Sequence, residues 1–273
     1  DSVITWKGEN SLSVENINTE LTISNNQGEV EGAPNFVFSY DSNSDTYNKL
    51  VVFQYGNDAD YSGSRQIKIK NIDTGEENIV AGQLSDGVNF RYPRVEQMHN
   101  GNLICAFDDF ENKNILYAIS NNPEGTSWNS YQTLIQNAER PNLLITNNGH
   151  IYCFYRSSVN NSVHFIKSED NGLTWSSPST VLENTINSIT YISGCQTDDG
   201  DLVVAITISY EIREYRSIDG GNNWEEIGSI TTKQFSNSDY YAHGYLINIP
   251  NKGLVCSCYI DKEDRTAYLA TFI

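Results

Sequence analysis

The sequence predicts an all-β chain in which one four-stranded unit is repeated around an axis. Three observations carry that expectation. An eight-residue phrase, Ser-x-Asp-x-Gly-x-x-Trp, occurs twice: Ser168-Glu169-Asp170-Asn171-Gly172-Leu173-Thr174-Trp175, then Ser217-Ile218-Asp219-Gly220-Gly221-Asn222-Asn223-Trp224. Short apolar runs are joined by Asn-Gly or Asp-Gly, the strongest short hairpin signals. The runs also align into a column, Val52, Cys105, Cys153, Val204 and Cys256. A unit of this kind cannot bury both of its faces alone, so successive copies must pack on one another.

Taken in order, five copies appear. The first carries Gly32-Ala33-Pro34-Asn35-Phe36 and a longer hairpin leading to Leu50-Val51-Val52-Phe53. The second reads Arg91-Tyr92-Pro93-Arg94-Val95, turns at Asn100-Gly101 and continues Leu103-Ile104-Cys105-Ala106-Phe107. The third reads Glu139-Arg140-Pro141-Asn142-Leu143, turns at Asn148-Gly149 and continues Ile151-Tyr152-Cys153-Phe154-Tyr155. In the fourth, Tyr191-Ile192-Ser193-Gly194 turns at Asp199-Gly200 into Leu202-Val203-Val204-Ala205. In the fifth, His243-Gly244-Tyr245-Leu246 turns near Lys252-Gly253 into Leu254-Val255-Cys256-Ser257. Third strands are expected at 66–70, 115–119, 163–167, 212–216 and 266–270. In the repeated phrase, Asp accepts hydrogen bonds from the turn, Gly takes positive φ and Trp covers the loop. A degenerate copy runs from Ser120 to Trp128.

The expected architecture is a single-domain β-propeller spanning residues 1–273, with five four-stranded blades. The last copy ends after its third strand, and Val3-Ile4-Thr5-Trp6 is expected to supply the missing outer strand and close the last blade. Six blades is the alternative count, if residues 7–30 form most of an extra blade.

Composition excludes several classes. A formal net charge of -18 and a pI near 4.4 argue against nucleic acid, since little here would neutralise phosphates. Five cysteines are an odd number and exclude a complete disulfide framework. Three of them fall in the aligned column, where small buried hydrophobes belong. No apolar run is long enough to span a membrane, and the first residues do not form a signal peptide. Beginning on Asp1 fits a processed chain or a piece of a longer protein. No metal or cofactor is expected. Asp198-Asp199-Gly200-Asp201 resembles a calcium loop only superficially and is read as a turn.

The repeated phrase resembles the Asp-box of the sialidase-like β-propellers. Further segments are similar to enzymes of that superfamily. Phe90-Arg91-Tyr92-Pro93 looks like the sialidase segment whose Arg grips the substrate carboxylate, which implies that role for Arg91. Tyr92-Pro93-Arg94-Val95 looks like the exo-arabinanase Y-P-R opening, which implies Arg94 instead. Strand alternation is expected to place these two arginines on opposite sides. Glu139-Arg140-Pro141 is similar to the arabinanase segment that presents a catalytic Glu, with an Arg intervening. The strand expected to open with a sialidase-type Tyr reads His243-Gly244-Tyr245-Leu246, with Tyr241 just upstream.

Strand starts and second-strand ends should gather on one side of the disc around the axis. The candidate site there comprises Glu139, Asp108 and Asp109 as catalytic carboxyls. Arg91, Arg94, Arg140, Arg156, Tyr191, Tyr241, His243 and Tyr245 are the candidate substrate-binding groups. Glycoside cleavage needs two carboxyls, about 5 Å apart for retention and roughly 6.5–9.5 Å for inversion. The expected function is thus an exo-acting glycoside hydrolase with one axial pocket. The alternative is a non-catalytic, lectin-like glycan-binding propeller. Either would work on glycans outside the cell or at its surface. For the arginines, a salt-bridge role beside nearby carboxylates stands against ligand binding. For Asp108 and Asp109, it is a polar loop.

Overall fold

The computed structural model describes residues 4–6, 12–14, 30–56, 63–183, 187–209, 211–231, 243–249, 253–259 and 267–272. The chain is all-β and runs as a succession of antiparallel meanders. Sheet one consists of Val30–Asp41, Thr46–Gly56, Arg65–Asn71 and Glu77–Ala81. Sheet two consists of Phe90–Gln97, Leu103–Asp109, Asn114–Ile119 and Gln132–Gln136. Sheet three holds Ala138–Ile145, Ile151–Ser157, Val163–Ser168 and Ser179–Leu182. Sheet four holds Ile189–Gln196, Leu202–Ile208, Glu211–Ser217 and Glu225–Thr231. Sheet five has three strands, His243–Ile249, Gly253–Tyr259 and Ala267–Phe272.

The first strand of each sheet lies beside the first strand of the next, so the sheets advance around a common axis. Continuous apolar cores fill the gaps between them. Val37, Val52, Ile69, Val95, Cys105 and Phe107 pack between sheets one and two. Ile104, Leu143, Cys153 and Ile166 pack between sheets two and three. Phe154, Phe165, Ile192, Val204 and Tyr215 pack between sheets three and four. Cys105, Cys153 and Val204 of the aligned column are fully buried against the preceding sheet. Val52, equally buried, is one residue out of register: it matches Ala106 and packs against the next sheet, so Val51 is the true counterpart. Burial pushes the Cys105 and Cys153 thiols far up, so they serve as apolar filling.

The expected turns are present. Asp170 accepts from the Thr174 N–H at 2.9 Å and the Thr174 hydroxyl at 2.6 Å, and Asp219 accepts from the Asn223 N–H at 2.9 Å. Ser168 and Ser217 hydroxyls each accept a glycine N–H four residues on, at 2.9 and 2.8 Å. These bonds hold both aspartates down at about 2, chiefly through Thr174 for Asp170 and the Asn223 N–H for Asp219. Gly221 has φ +97°, and a Cβ there would stand 2.5 Å from the Phe165 ring of the preceding sheet. The degenerate copy keeps the design with Asn122 in place of Asp and Trp128 Nε1 donating to the Gly125 carbonyl at 2.8 Å. The phrase is a structural turn.

One expectation is corrected. Among the described residues, Ile4–Trp6 pairs with Leu12–Val14 in a sheet of its own, and Ala267–Phe272 pairs only with Gly253–Tyr259. A local hairpin closes a much shorter loop than pairing across the whole chain, so it forms at lower entropic cost. Most of residues 7–30, on which the sixth blade turned, lie outside the described residues.

The seams between sheets are sealed by side-chain acceptors. Asn35, Asn142 and Ser193 occupy one aligned position, and each accepts a backbone N–H of the next sheet: Val95 at 2.8 Å, Gly194 at 2.9 Å and Leu246 at 3.0 Å. Removing such an acceptor strands a buried N–H, at a cost of about 1–3 kcal/mol. Asn142→Ala is therefore expected to lower unfolding stability by that amount in chemical denaturation with little change in m-value. An unchanged midpoint would remove this seam bond from the account.

Candidate functional site

The start of each first strand carries an irregularity. In sheets one to three, two residues oppose one: register shifts fall between Gly32 and Asn35, Arg91 and Arg94, and Glu139 and Asn142. In sheet four the shift lies between Ile189 and Tyr191. Proline sits inside the first three, where its missing N–H costs no ladder bond. The residue before it is left-handed in sheets two and three, with φ +52° at Tyr92 and +61° at Arg140. These bulges re-aim side chains toward the axis.

Four sheets thus contribute to one cavity of about 370 Å³, lined by Pro34, Tyr92, Arg94, Arg140, Pro141, Tyr191 and Ile192. The Arg140 guanidinium lies over the Tyr92 ring, 3.8 Å from its centre, and that of Arg94 lies 5.3 Å from the centre of Tyr191. Each cation is thus oriented by an aromatic face. Arg94 Nη1 donates to its neighbour's carbonyl, Pro93 O, at 2.9 Å, while its buried Nε has no hydrogen-bond partner. Arg94 also occupies the aligned position held elsewhere by Asn35, Asn142 and Ser193. A guanidinium has no acceptor and cannot make their seam bond.

Three of the candidates, Arg94, Arg140 and Tyr191, therefore meet at the pocket. Arg91 does not line it. The bulge cancels the alternation, because Arg91 opposes Asp108 and Arg94 opposes Ala106, two residues apart on one face. In register the two positions fall on one side, yet only Arg94 reaches the pocket. Arg91 instead donates from Nε to Asn89 at 2.9 Å and lies 3.7 Å from the centre of the Phe110 ring. Arg156 pairs with Glu139 and donates to the Ile189 carbonyl at 2.8 Å across the seam to sheet four. Tyr241 lies outside the described residues. His243 and Tyr245 open the first strand of sheet five, opposite Tyr259 and Ser257.

The carboxyls have divided roles. Asp109 caps a loop, accepting from Asn112 Nδ2 at 2.8 Å, as the polar-loop reading holds. Glu139 is nearly buried between Arg156 and Lys113, the latter at 2.8 Å. Burial alone would raise its pKa, but hydrogen bonds and charge from Lys113 and Arg156 outweigh this and hold it below the ordinary value. Asp108 is buried and accepts the Arg140 N–H at 2.9 and 3.2 Å. Burial pushes it up to about 7, against the Arg140 N–H bond and the Arg140 and Arg94 charges and with help from Glu139. Glu96, on the same first strand as Arg94, is likewise pushed up to about 7 by desolvation, only partly offset by Arg94. Sequence reasoning missed Glu96, Tyr92, Pro34, Pro141 and Ile192, although the recurring x-Pro before the aligned position already marked the bulge. Among the described residues no group of three or more His, Cys, Asp or Glu side chains is placed to hold a metal.

Known proteins share this fold. The description that matches the chain is a BNR repeat-like domain, over residues 44–241. No curated protein is similar to it in sequence. Among solved structures, the Hadza microbial sialidase Hz136 superposes with a TM-score of 0.63 at 15% identity over 90% of this chain. The match takes in 53% of that protein, so the chain spans about half its length. An endo-arabinase from Bacteroides thetaiotaomicron VPI-5482 superposes with a TM-score of 0.53 at 14% identity, covering 88% of this chain and 93% of that one. The fucose-specific lectin of Aleuria aurantia gives a TM-score of 0.53 at 11% identity, covering 90% and 75%. Identities this low speak for the fold, a β-propeller, and the match over 44–241 spans most of sheet one and all of sheets two to four. The chain belongs to the BNR repeat-like family.

Proposed function

We propose that this protein is a carbohydrate-active propeller that grips one acidic sugar residue in its axial pocket, outside the cell or at its surface. The observation that carries this reading is Arg94. At the position where Asn35, Asn142 and Ser193 seal seams, sheet two presents instead a cation that lines the cavity. A carboxylate answers that lining, since it accepts charge-assisted bonds from guanidiniums, and both Arg94 and Arg140 line the pocket. Pro34, Pro141 and Ile192 supply the apolar surface against which a sugar ring rests. The folds shared with a sialidase, an arabinase and a lectin support a glycan ligand. The aligned residues differ from sheet to sheet, which favours a single site over repeated equivalent ones.

Calorimetric titration with N-acetylneuraminic, glucuronic and galacturonic acids, against arabinose and fucose, tests this. Binding is expected for an acidic sugar and not for the neutral ones. Arg94→Asn restores the side chain found in sheets one and three. It is expected to weaken binding about 10- to 100-fold, the loss of a hydrogen bond to a charged group, with the thermal midpoint kept. Preference for neutral sugars would overturn the reading.

A second reading, exo-acting hydrolysis, is favoured by the separation of two carboxyls: Asp108 is raised to about 7 while Glu139 is held down. Asp108 would then donate the proton and Glu139 act as nucleophile or base. Aryl-glycoside turnover should fall as pH rises through about 7, because the acid must keep its proton, and Glu139→Gln should abolish it. Binding without turnover of any aryl-glycoside of the acidic sugar that binds leaves the recognition role alone.

A further inference from the structure

Two residues at the ends of second strands do the same work one seam apart. Gln54 opposes Gly32, and Asp108 opposes Arg91, at the same register of sheets one and two. The buried Gln54 accepts the Tyr92 N–H at 3.3 Å, and Asp108 accepts the Arg140 N–H at 2.9 and 3.2 Å. Both donors belong to the left-handed residue before the bulge proline, a conformation that tyrosine and arginine adopt only when their surroundings hold them there. Each pinned residue then sends its side chain into the pocket, where the two stack on one another. An amide oxygen suffices at Gln54. Asp108 adds what an amide lacks, a proton it can gain or lose.

We propose that Asp108 is a positioning residue: across the seam it pins Arg140 in the left-handed bulge, and its charge sets how strongly the pocket attracts an anion. Only the second half rests on the acidic-sugar reading. Of the charged groups on sheet two, Arg94 acts on Asp108, while Arg91 is its Cα partner in register but turns its guanidinium to Asn89 and Phe110. From sheet three come Arg140, Glu139 and Cys153, and Lys113 reaches this corner through Glu139. The ionised carboxylate cancels part of the guanidinium charge, and its protonation restores it. Capture of an anion therefore strengthens as pH falls through the titration of Asp108, whose elevation to about 7 sets the window near neutrality.

Amide NMR with hydrogen exchange tests the pinning without any ligand. In the wild-type protein the Arg140 amide should be protected and its resonance should shift with pH near neutrality. Asp108→Asn should keep the protection and abolish the shift, because an amide oxygen still accepts. Asp108→Ala should expose the Arg140 amide while leaving Tyr92 protected, and Gln54→Ala should do the reverse. Full protection of Arg140 in Asp108→Ala, or a persisting shift in Asp108→Asn, would overturn the pinning. If Asp108→Ala does not fold, Asp108→Asn and Gln54→Ala still decide it. For the charge half, N-acetylneuraminic acid, glucuronic acid and galacturonic acid are titrated on either side of neutral pH. A Glu96→Gln background silences the other carboxyl pushed up to about 7 beside Arg94. There affinity should fall about 3- to 10-fold as pH rises, and adding Asp108→Asn should make it flat. A pH-dependent double variant overturns that half. Failure of all three sugars to bind removes the pocket reading and the charge half together, while the exchange data still judge the pinning.

Discussion

Sheets two and three of this protein are apolar on both faces, and the architecture follows from the need to cover both. The cores lie between sheets rather than within one layer, so the seams are where stability is decided. At a seam the backbone cannot simply extend its ladder, because the next sheet turns away around the axis. Exposed N–H groups must be met by side chains. Asn35, Asn142 and Ser193 meet one set, and Gln54 and Asp108 meet another. The pocket sits among these bonds and uses the same positions. Pocket-lining groups and seam-sealing groups here are alternative occupants of one column.

The contrast between surface and hub is electrostatic. The chain carries a formal charge of -18, yet the cavity is lined by two guanidiniums and by no carboxylate among the described residues. Each guanidinium rests near a tyrosine ring, which orients the cation while leaving its edge available for hydrogen bonding. The nearby carboxyls stay behind the wall, Glu139 in an ion pair and Asp108 on a backbone N–H.

Much of this was legible in the chain. Asn-Gly and Asp-Gly turns, the Asp-box phrases and the aligned column located the strands of five repeats, because each is a local signal of backbone conformation. The gathering of Arg94, Arg140 and Tyr191 followed from the repeat, which places equivalent strand starts together. What failed was argument by strict alternation. It assigned Arg91 and Arg94 to opposite faces, whereas an extra residue beside Pro93 resets the pleat. The acceptor role of Asp108 was invisible, since its partner lies 32 residues on in another sheet. Glu139 read as a catalytic group from a short phrase, and the structure adds Arg156 and Lys113 as its immediate company. The N-terminal strand was assigned by the wish to complete a sheet, and local pairing prevailed.

Pro34, Tyr92, Arg140 and Tyr191 each ride a different sheet, so no shorter run of consecutive repeats contains the cavity. It comes into being only when four consecutive units have docked. A chain cut short before the fourth sheet therefore lacks part of the wall, so the cavity reports how far the array extends.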